Sequence, residues 1–399
     1  MLYSSAVYLP LLLAALAAYW WLVPAHARRH FLTAVSLLLL GYLSWRATAA
    51  LLVLAVFVYL VGRRVAANQG SPRLRSALLA AGIGVPLAYL ATFKYLPAYA
   101  PPIEQLLGSM TAGGLLLPLG ISYFTFKFLH YLIEMRRGTL PAHDFGDFLC
   151  FITLFTIFPA GPIERFGNLQ PQFAAPRFDG ELFRSGLGRI VTGLVKKVLI
   201  ADFACAMLLE QLGDVPGNMA ERSSLALFAW IWLGFLRLYF DFAGYSDLAI
   251  GTSRLFGLRV IENFDWPLFK RNISEFWRSW HLSLTNWCRD YIYFPVFGLT
   301  RQPVLAILAC MIAVGYWHGA HPKWLLWGAW HGAGLALWQV WQMRKRRWPA
   351  LMRISRDSTV YSLASWVLTL NFVVMGGLIT AFDRPLDALR YFLHMLTPS

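Results

Sequence analysis

Charge is scarce in this sequence. Only 14% of the 399 residues are Asp, Glu, Lys or Arg, whereas 58% belong to the hydrophobic set. A soluble domain carries about a quarter charged residues, so most of this chain's surface is not built for water, and its class is integral membrane protein. Cysteine is equally sparse. Cys150, Cys205, Cys288 and Cys310 stand far apart in no CxxC or Cys/His array, which gives neither a disulfide framework nor a zinc site. The G-x-S-x-G elbow is absent, as is HExxH, so the signatures of a serine acyl-enzyme and of a zinc peptidase are both missing. No repeat, low-complexity tract or soluble domain interrupts the chain, and residues 1–399 read as one membrane-embedded helical domain.

What is present is a succession of apolar runs of roughly the 20 residues a bilayer span needs. The first, Ser5 to Pro24, has no basic region ahead of it and reads as a span, not a cleaved signal. The net charge of +15 sits in short clusters between such runs, the marking of cytoplasmic loops, so nucleic acid is not the expected partner and membrane lipids are. Arg28/Arg29, Arg63/Arg64 and Arg136/Arg137 fall on one side if two crossings separate each pair. That requires Phe31–Tyr42 and Thr48–Val61 to be two segments broken at Ser44–Arg46, and Leu78–Pro97 and Leu115–Leu132 to be two more. Phe148–Pro159 is short and reads as re-entrant. Spans follow near Gly186–Leu209, Leu225–Phe242, Val304–Trp317, Trp324–Trp341 and Tyr361–Ala381. The expected fold is all-α and polytopic, with about ten or eleven crossings.

A charge inside hydrocarbon costs roughly 3 kcal/mol, so polar residues within apolar runs are the functional candidates. YWHGAH holds His318 and His321. A desolvated, neutral His318 can take a proton from a hydroxyl, or it can be an interfacial histidine bonded to a carbonyl; no carboxylate accompanies the pair, so no metal site is expected. His331 in WGAWHG reads as structural, among interfacial aromatic anchors. Asp241 and Asp247 in YFDFAGYSDLAIG bracket Tyr245; they can bind a cation or shape a polar cavity, and the favoured reading is structural pairing with the arginines of residues 273–291. Ser122, Tyr123, Thr125, Lys127 and His130 interrupt one apolar helix and either line a channel or bond neighbouring helices. The segment ISEFWRSWHLSLTNWCRDY, residues 273–291, projects at 100° per residue into an amphipathic helix. Trp277, Trp280, Leu284 and Cys288 fall on its apolar arc, Arg278, Arg289 and Asp290 on the polar side, and His281 at the boundary. The two arginines suit a phosphate-bearing carrier or a lipid headgroup.

The run ENFDWPLFKRNISEFWRSWHLSLTNWCRDYIYFP, followed by GYWHG, resembles the signature of the membrane-bound O-acyltransferases. Within that superfamily the chain is similar to the bacterial branch of alginate O-acetylases and of D-alanyl transfer proteins for teichoic acid. PLGISYFTF, FPAGPIERF and DFAGYSDLAIGTSRLFG fit it too, and the resemblance covers about residues 115–335. It implies a many-helix fold around a funnel or tunnel, His318 at the centre of that tunnel, and His281 as the second histidine. It also implies a cytoplasmic thioester donor, acetyl-CoA or the phosphopantetheine of an acyl carrier protein, and an acceptor or partner acyltransferase reaching the site from outside a bacterial cytoplasmic membrane. Trp280, Trp317, Asp241, Tyr245 and Ser122 join Arg278, Arg289 and Asp290 as candidates for donor and substrate contacts. The chain's length is nearer the compact D-alanyl members, whereas IYFPVFGLTR is closer to the acetylases. The alternative function is a transporter that moves a polar substrate through the tunnel without chemistry, and the His143/Asp147 HxxxD spacing is set aside because it falls in a polar loop.

Overall fold

The computed structural model describes residues 8–99, 120–174, 176–345, 347 and 358–396. Residues 115–119, part of one expected span, lie outside them. The chain forms two compact units, Met1–Gly193 with Tyr245–Ile261, and Leu194–Gly244 with Glu262–Ser399. Among the described residues, four helices are long and apolar enough to cross a bilayer: Ala25–Ala67, Pro72–Lys94, Ser224–Leu255 and Thr359–Ala381. Leu9–Leu22 and Pro303–His318 are shorter apolar helices.

In the first unit, one extended residue, Ser44 (φ −164°, ψ 99°), interrupts the Arg28–Ala67 helix. Its hydroxyl accepts the Ala47 N–H, a helix N-cap at the expected break. The chain doubles back there. Arg29 reaches Asp144 and Asp147 at 3.0 and 2.5 Å, and the ring of Tyr59 lies 5.1 Å from that of Phe145. A straight helix would separate residues 29 and 59 by about 45 Å. At the same end, Arg75 donates to the Val65 and Arg136 carbonyls, so the three basic clusters gather as the two-crossing count requires. Glycines allow the tight crossings. A Cβ on Gly62 would stand 2.7 Å from the Tyr131 ring, and one on Gly82 2.9 Å from Val61.

The segment expected to be re-entrant holds a nine-residue helix, Phe145–Thr153, opened by an Asp144/Asp147 capping box. A non-helical stretch follows in which Leu154, Phe155, Ile157, Phe158 and Ile163 are buried. Buried irregular backbone needs partners; here the Phe155 N–H donates to the Ser36 hydroxyl at 3.0 Å, and Glu164 fixes the backbone that follows. It accepts the N–H groups of Arg165 (2.7 Å) and Ile261 (2.8 Å) and the Asn168 amide (3.0 Å). Also in this unit, Gly186 and Gly251 pack backbone to backbone, and Arg189 meets Asp247 at 2.6 Å.

The helical run that begins at Gly180 in the first unit continues into the second as an eleven-residue π-helical stretch, Val195–Cys205. Lys197 on that stretch pairs with Asp202 (2.9 Å) and with Asp241. A final amphipathic helix, Pro385–Leu396, was not foreseen; it docks through Tyr391, whose hydroxyl donates to the Leu227 carbonyl at 2.8 Å.

Candidate active site

His318 is the last residue of the Pro303–His318 helix, which turns at once into the Pro322–Lys345 helix. The tightness of this hairpin is written in its glycines. A Cβ on Gly315 would overlap the Trp324 carbonyl oxygen, and one on Gly328 would stand 2.5 Å from the Met311 carbonyl oxygen. Gly319 leaves room for Trp324, whose Nε1 would lie 2.6 Å from a Cβ there. His321 closes the turn by accepting the Lys323 N–H on Nδ1 at 3.3 Å, so it acts as a helix cap. Trp324, Trp327 and His331 then fall at i, i+3 and i+7 on one face of the second helix.

That face makes a shelf for His318. Its imidazole stacks on Trp324 at 5.0 Å and 22°, and meets Trp327 edge-on at 5.2 Å and 81°. On the other side Trp317 lies 4.7 Å away. His318 is exposed, not desolvated as expected; it ends a helix at a turn, where only one hairpin face can cover it. His281 and His331, by contrast, are buried, 3% and 1% exposed.

His281 is reached through Trp317, whose ring lies 6.1 Å from it. The single amphipathic helix expected over residues 273–291 is not what forms. Two short helices, Ile273–Trp277 and Leu282–Cys288, are separated by a turn in which His281 takes the left-handed conformation (φ 44°, ψ 54°). A non-glycine residue there is strained unless its surroundings fix it. The Asp265 N–H bonds the Ser279 carbonyl and the Leu282 N–H bonds the Asn263 carbonyl, both at 2.9 Å. The Ser283 hydroxyl donates to Asn263 Oδ1 at 2.6 Å. Phe242 packs edge-on to the imidazole at 4.7 Å, and its Nε2 is buried with no hydrogen-bond partner. The break also ends the projection that set Arg278 and Arg289 on one polar side. Arg278 is exposed and donates to the Ser274 carbonyl, while Arg289 pairs with its neighbour Asp290 at 2.9 Å.

The other candidates are held elsewhere. Trp280 is a pier, sandwiched between Phe235 (5.7 Å, 18°) and Phe276 (5.4 Å, 20°). Asp241 and Asp247 pair with Lys197 and Arg189, not with the arginines downstream; those cations sit on the helical run just before theirs and reach them by packing alongside. Ser122 accepts the Lys94 ammonium at 3.1 Å, and Tyr245 is buried. Lys127 and His130 bond the Phe151 carbonyl (3.0 Å) and the Phe166 N–H (2.9 Å), the helix-bonding reading of that segment. The discounted His143 and Asp147 are occupied by Tyr131 and Arg29. Among the described residues no cluster of three His, Cys, Asp or Glu side chains is placed to hold a metal ion. Sequence reasoning missed Asn263, Trp324 and Trp327; the aromatic spacing at i, i+3 before His331 was the available signal.

This geometry offers an accessible imidazole for proton transfer beside a buried, fixed one. The chain is 34% identical to a protein named as a probable alginate O-acetylase from Pseudomonas aeruginosa, over the whole chain and 75% of that protein. It is 33% identical to a teichoic acid D-alanyltransferase of Streptococcus thermophilus, over 57% of this chain and 58% of that one. It is 28% identical to a peptidoglycan O-acetyltransferase of Helicobacter pylori, over 80% and 64%. A family model described as the membrane-bound O-acyltransferase family matches residues 37–379, and the chain, an integral membrane acyltransferase, belongs to that family.

Proposed function

We propose that this enzyme moves a small acyl group, acetyl or D-alanyl, from a thioester donor supplied by the cytoplasm to a hydroxyl of an extracytoplasmic cell-envelope polymer or partner protein, across a bacterial cytoplasmic membrane. The carrying observation is the accessible imidazole of His318 on its tryptophan shelf, linked through Trp317 to the buried His281. His318 takes the acceptor's hydroxyl proton as the oxygen attacks the thioester carbonyl. The new C–O bond forms, the C–S bond breaks, and the proton passes from His318 to the departing thiolate. His281, with Nε2 buried and unpartnered, orients the acceptor or the carbonyl. Exposed Arg278 and Arg289 serve the phosphates of the donor, coenzyme A or a carrier's phosphopantetheine. The relatives' names support the acceptor class, since alginate, teichoic acid and peptidoglycan are all cell-envelope polymers.

The test supplies purified protein with acetyl-CoA or with a D-alanyl carrier protein and follows thioester consumption. His318→Ala should abolish turnover of one of the two while the protein stays folded in micelles. Normal turnover by that variant removes the role assigned to His318, and consumption of neither donor by the parent removes the donor assignment.

A further inference from the structure

His331 is a buried polar group that acyl transfer by His318 and His281 leaves without a task. It sits within the Pro322–Lys345 helix, enclosed by the rings of Trp327 (4.6 Å), Trp277 (5.1 Å, edge-on) and Phe372 (5.9 Å, edge-on). The Thr359–Ala381 helix leaves space for it. At Gly376 a Cβ would stand 2.7 Å from His331 Nε2, so the backbone there is shaped to admit an imidazole. The other nitrogen, Nδ1, is buried with no hydrogen-bond partner. As packing alone this is a poor choice, because a hydrocarbon ring fills similar space without desolvating a nitrogen.

Trp327 connects this position to the site. One indole packs against both His331 and His318, and it also touches Trp277, four residues before His281. We propose that His331 is a positioning residue for acyl transfer: through Trp327 it fixes the shelf under His318, and its Nδ1 engages a water or substrate oxygen when the site is filled. The inference rests on the assignment of His318 as the base.

Two substitutions separate this role from packing. His331→Phe keeps a ring and loses the nitrogens; His331→Asn keeps a polar atom near the Nδ1 position and loses the ring. Acetyl-CoA or D-alanyl carrier consumption should fall about tenfold or more in kcat for His331→Phe with KM nearly unchanged, the mark of an interaction used in the transition state. His331→Asn should retain more activity than His331→Phe despite its lower melting temperature. A structural role predicts the opposite order. Full activity of His331→Phe, or activity that follows melting temperature across the variants, overturns the proposal. His318→Ala run beside them distinguishes the two failures, since its normal turnover defeats the base assignment instead. Diethyl pyrocarbonate labelling of His318, read by peptide mass spectrometry on the whole protein, needs no donor. It should be unchanged in His331→Phe, whose ring keeps the shelf in place, and a severalfold faster rate there counts against the proposal by tracing the lost activity to the shelf alone.

Discussion

Gly315→Ala isolates the packing that presents His318. The added methyl would overlap the Trp324 carbonyl oxygen and lie 3.2 Å from the Gly328 backbone. Backbone in a tight hairpin cannot rotate aside, so the two helices must part. Overpacking of this kind costs about 1–3 kcal/mol, with the upper end apt for a backbone clash, and alanine's better helix propensity returns up to about 1 kcal/mol. The net loss is about 1–2 kcal/mol, a melting-temperature drop of about 1–2 °C for a chain of this length. Gly188→Ala and Gly234→Ala are the controls. Nothing lies within 4 Å of a Cβ at either position, so only the propensity gain remains, and their melting temperatures should hold or rise. Gly319→Ala differs in kind, because its methyl meets the side chain of Trp324 at 2.6 and 2.7 Å, and a side chain can yield. Stability should change little while the stacked surface under His318 moves, and displacement of a reacting group by about 1 Å can cost 10²-fold in rate. Differential scanning fluorimetry in micelles, paired with thioester consumption, reads both effects. A Gly315→Ala melting temperature equal to that of the two controls would refute the close crossing, and full activity in Gly319→Ala would refute the shelf.

Three further outcomes follow from the same geometry. His281→Asn should fold, since asparagine tolerates left-handed φ, yet lose about 10²-fold in acyl transfer; a parental rate would reduce His281 to a turn residue. Asp247→Asn takes a nearly buried carboxylate from Arg189, whose side chain is 30% exposed, and after allowance for solvent screening should destabilise by about 1–3 kcal/mol in thermal unfolding; an unchanged transition would refute the pair. Asp383 lies beyond the last long helix, and a hydrogen bond and charge from Lys323 hold its carboxyl below the usual carboxylate range. A lowered native pKa means stability present above about pH 4, the unfolded value, and lost as pH falls through the native one. Asp383→Asn should therefore flatten the acid limb of the melting-temperature profile, and an unaltered limb would show that the pair does not persist in solution.

Much of the helical layout was legible because apolar runs and charge clusters report directly on where backbone must be shielded. The reversal at Ser44 could be read since a serine and an arginine interrupt an otherwise continuous run, and the short Phe145–Thr153 helix since its run is too short to span. His318 was legible for the same reason, a polar residue closing an apolar helix. Residues 273–291 were misread because periodicity assumes an unbroken helix, and RSWHLS contains neither glycine nor proline to announce a left-handed residue. The turn is imposed from outside by Asn263, whose carbonyl and side chain take the Leu282 N–H and the Ser283 hydroxyl. Partners of that kind leave no local pattern. The cations facing Asp241 and Asp247 were missed likewise, as no spacing rule links Lys197 or Arg189 to them.

The two histidines are placed by opposite means, and the contrast bears on what each can do. His318 is cheap to present: a helix simply ends, and Gly315 and Gly319 draw the next helix close enough to put tryptophan under one face of the ring while leaving it accessible. A group that must collect a proton from one substrate and return it to another needs that access. His281 is costly to present, since a non-glycine residue at φ 44° is strained by an amount on the order of 1 kcal/mol or more. Glycine would make the same turn with less strain. A histidine in that place is therefore accounted for by its ring, which the left-handed backbone aims between Phe242 and Trp317 with Nε2 unspent. The accessible imidazole suits the proton transfer proposed for it, and the enclosed one suits the proposed orienting role.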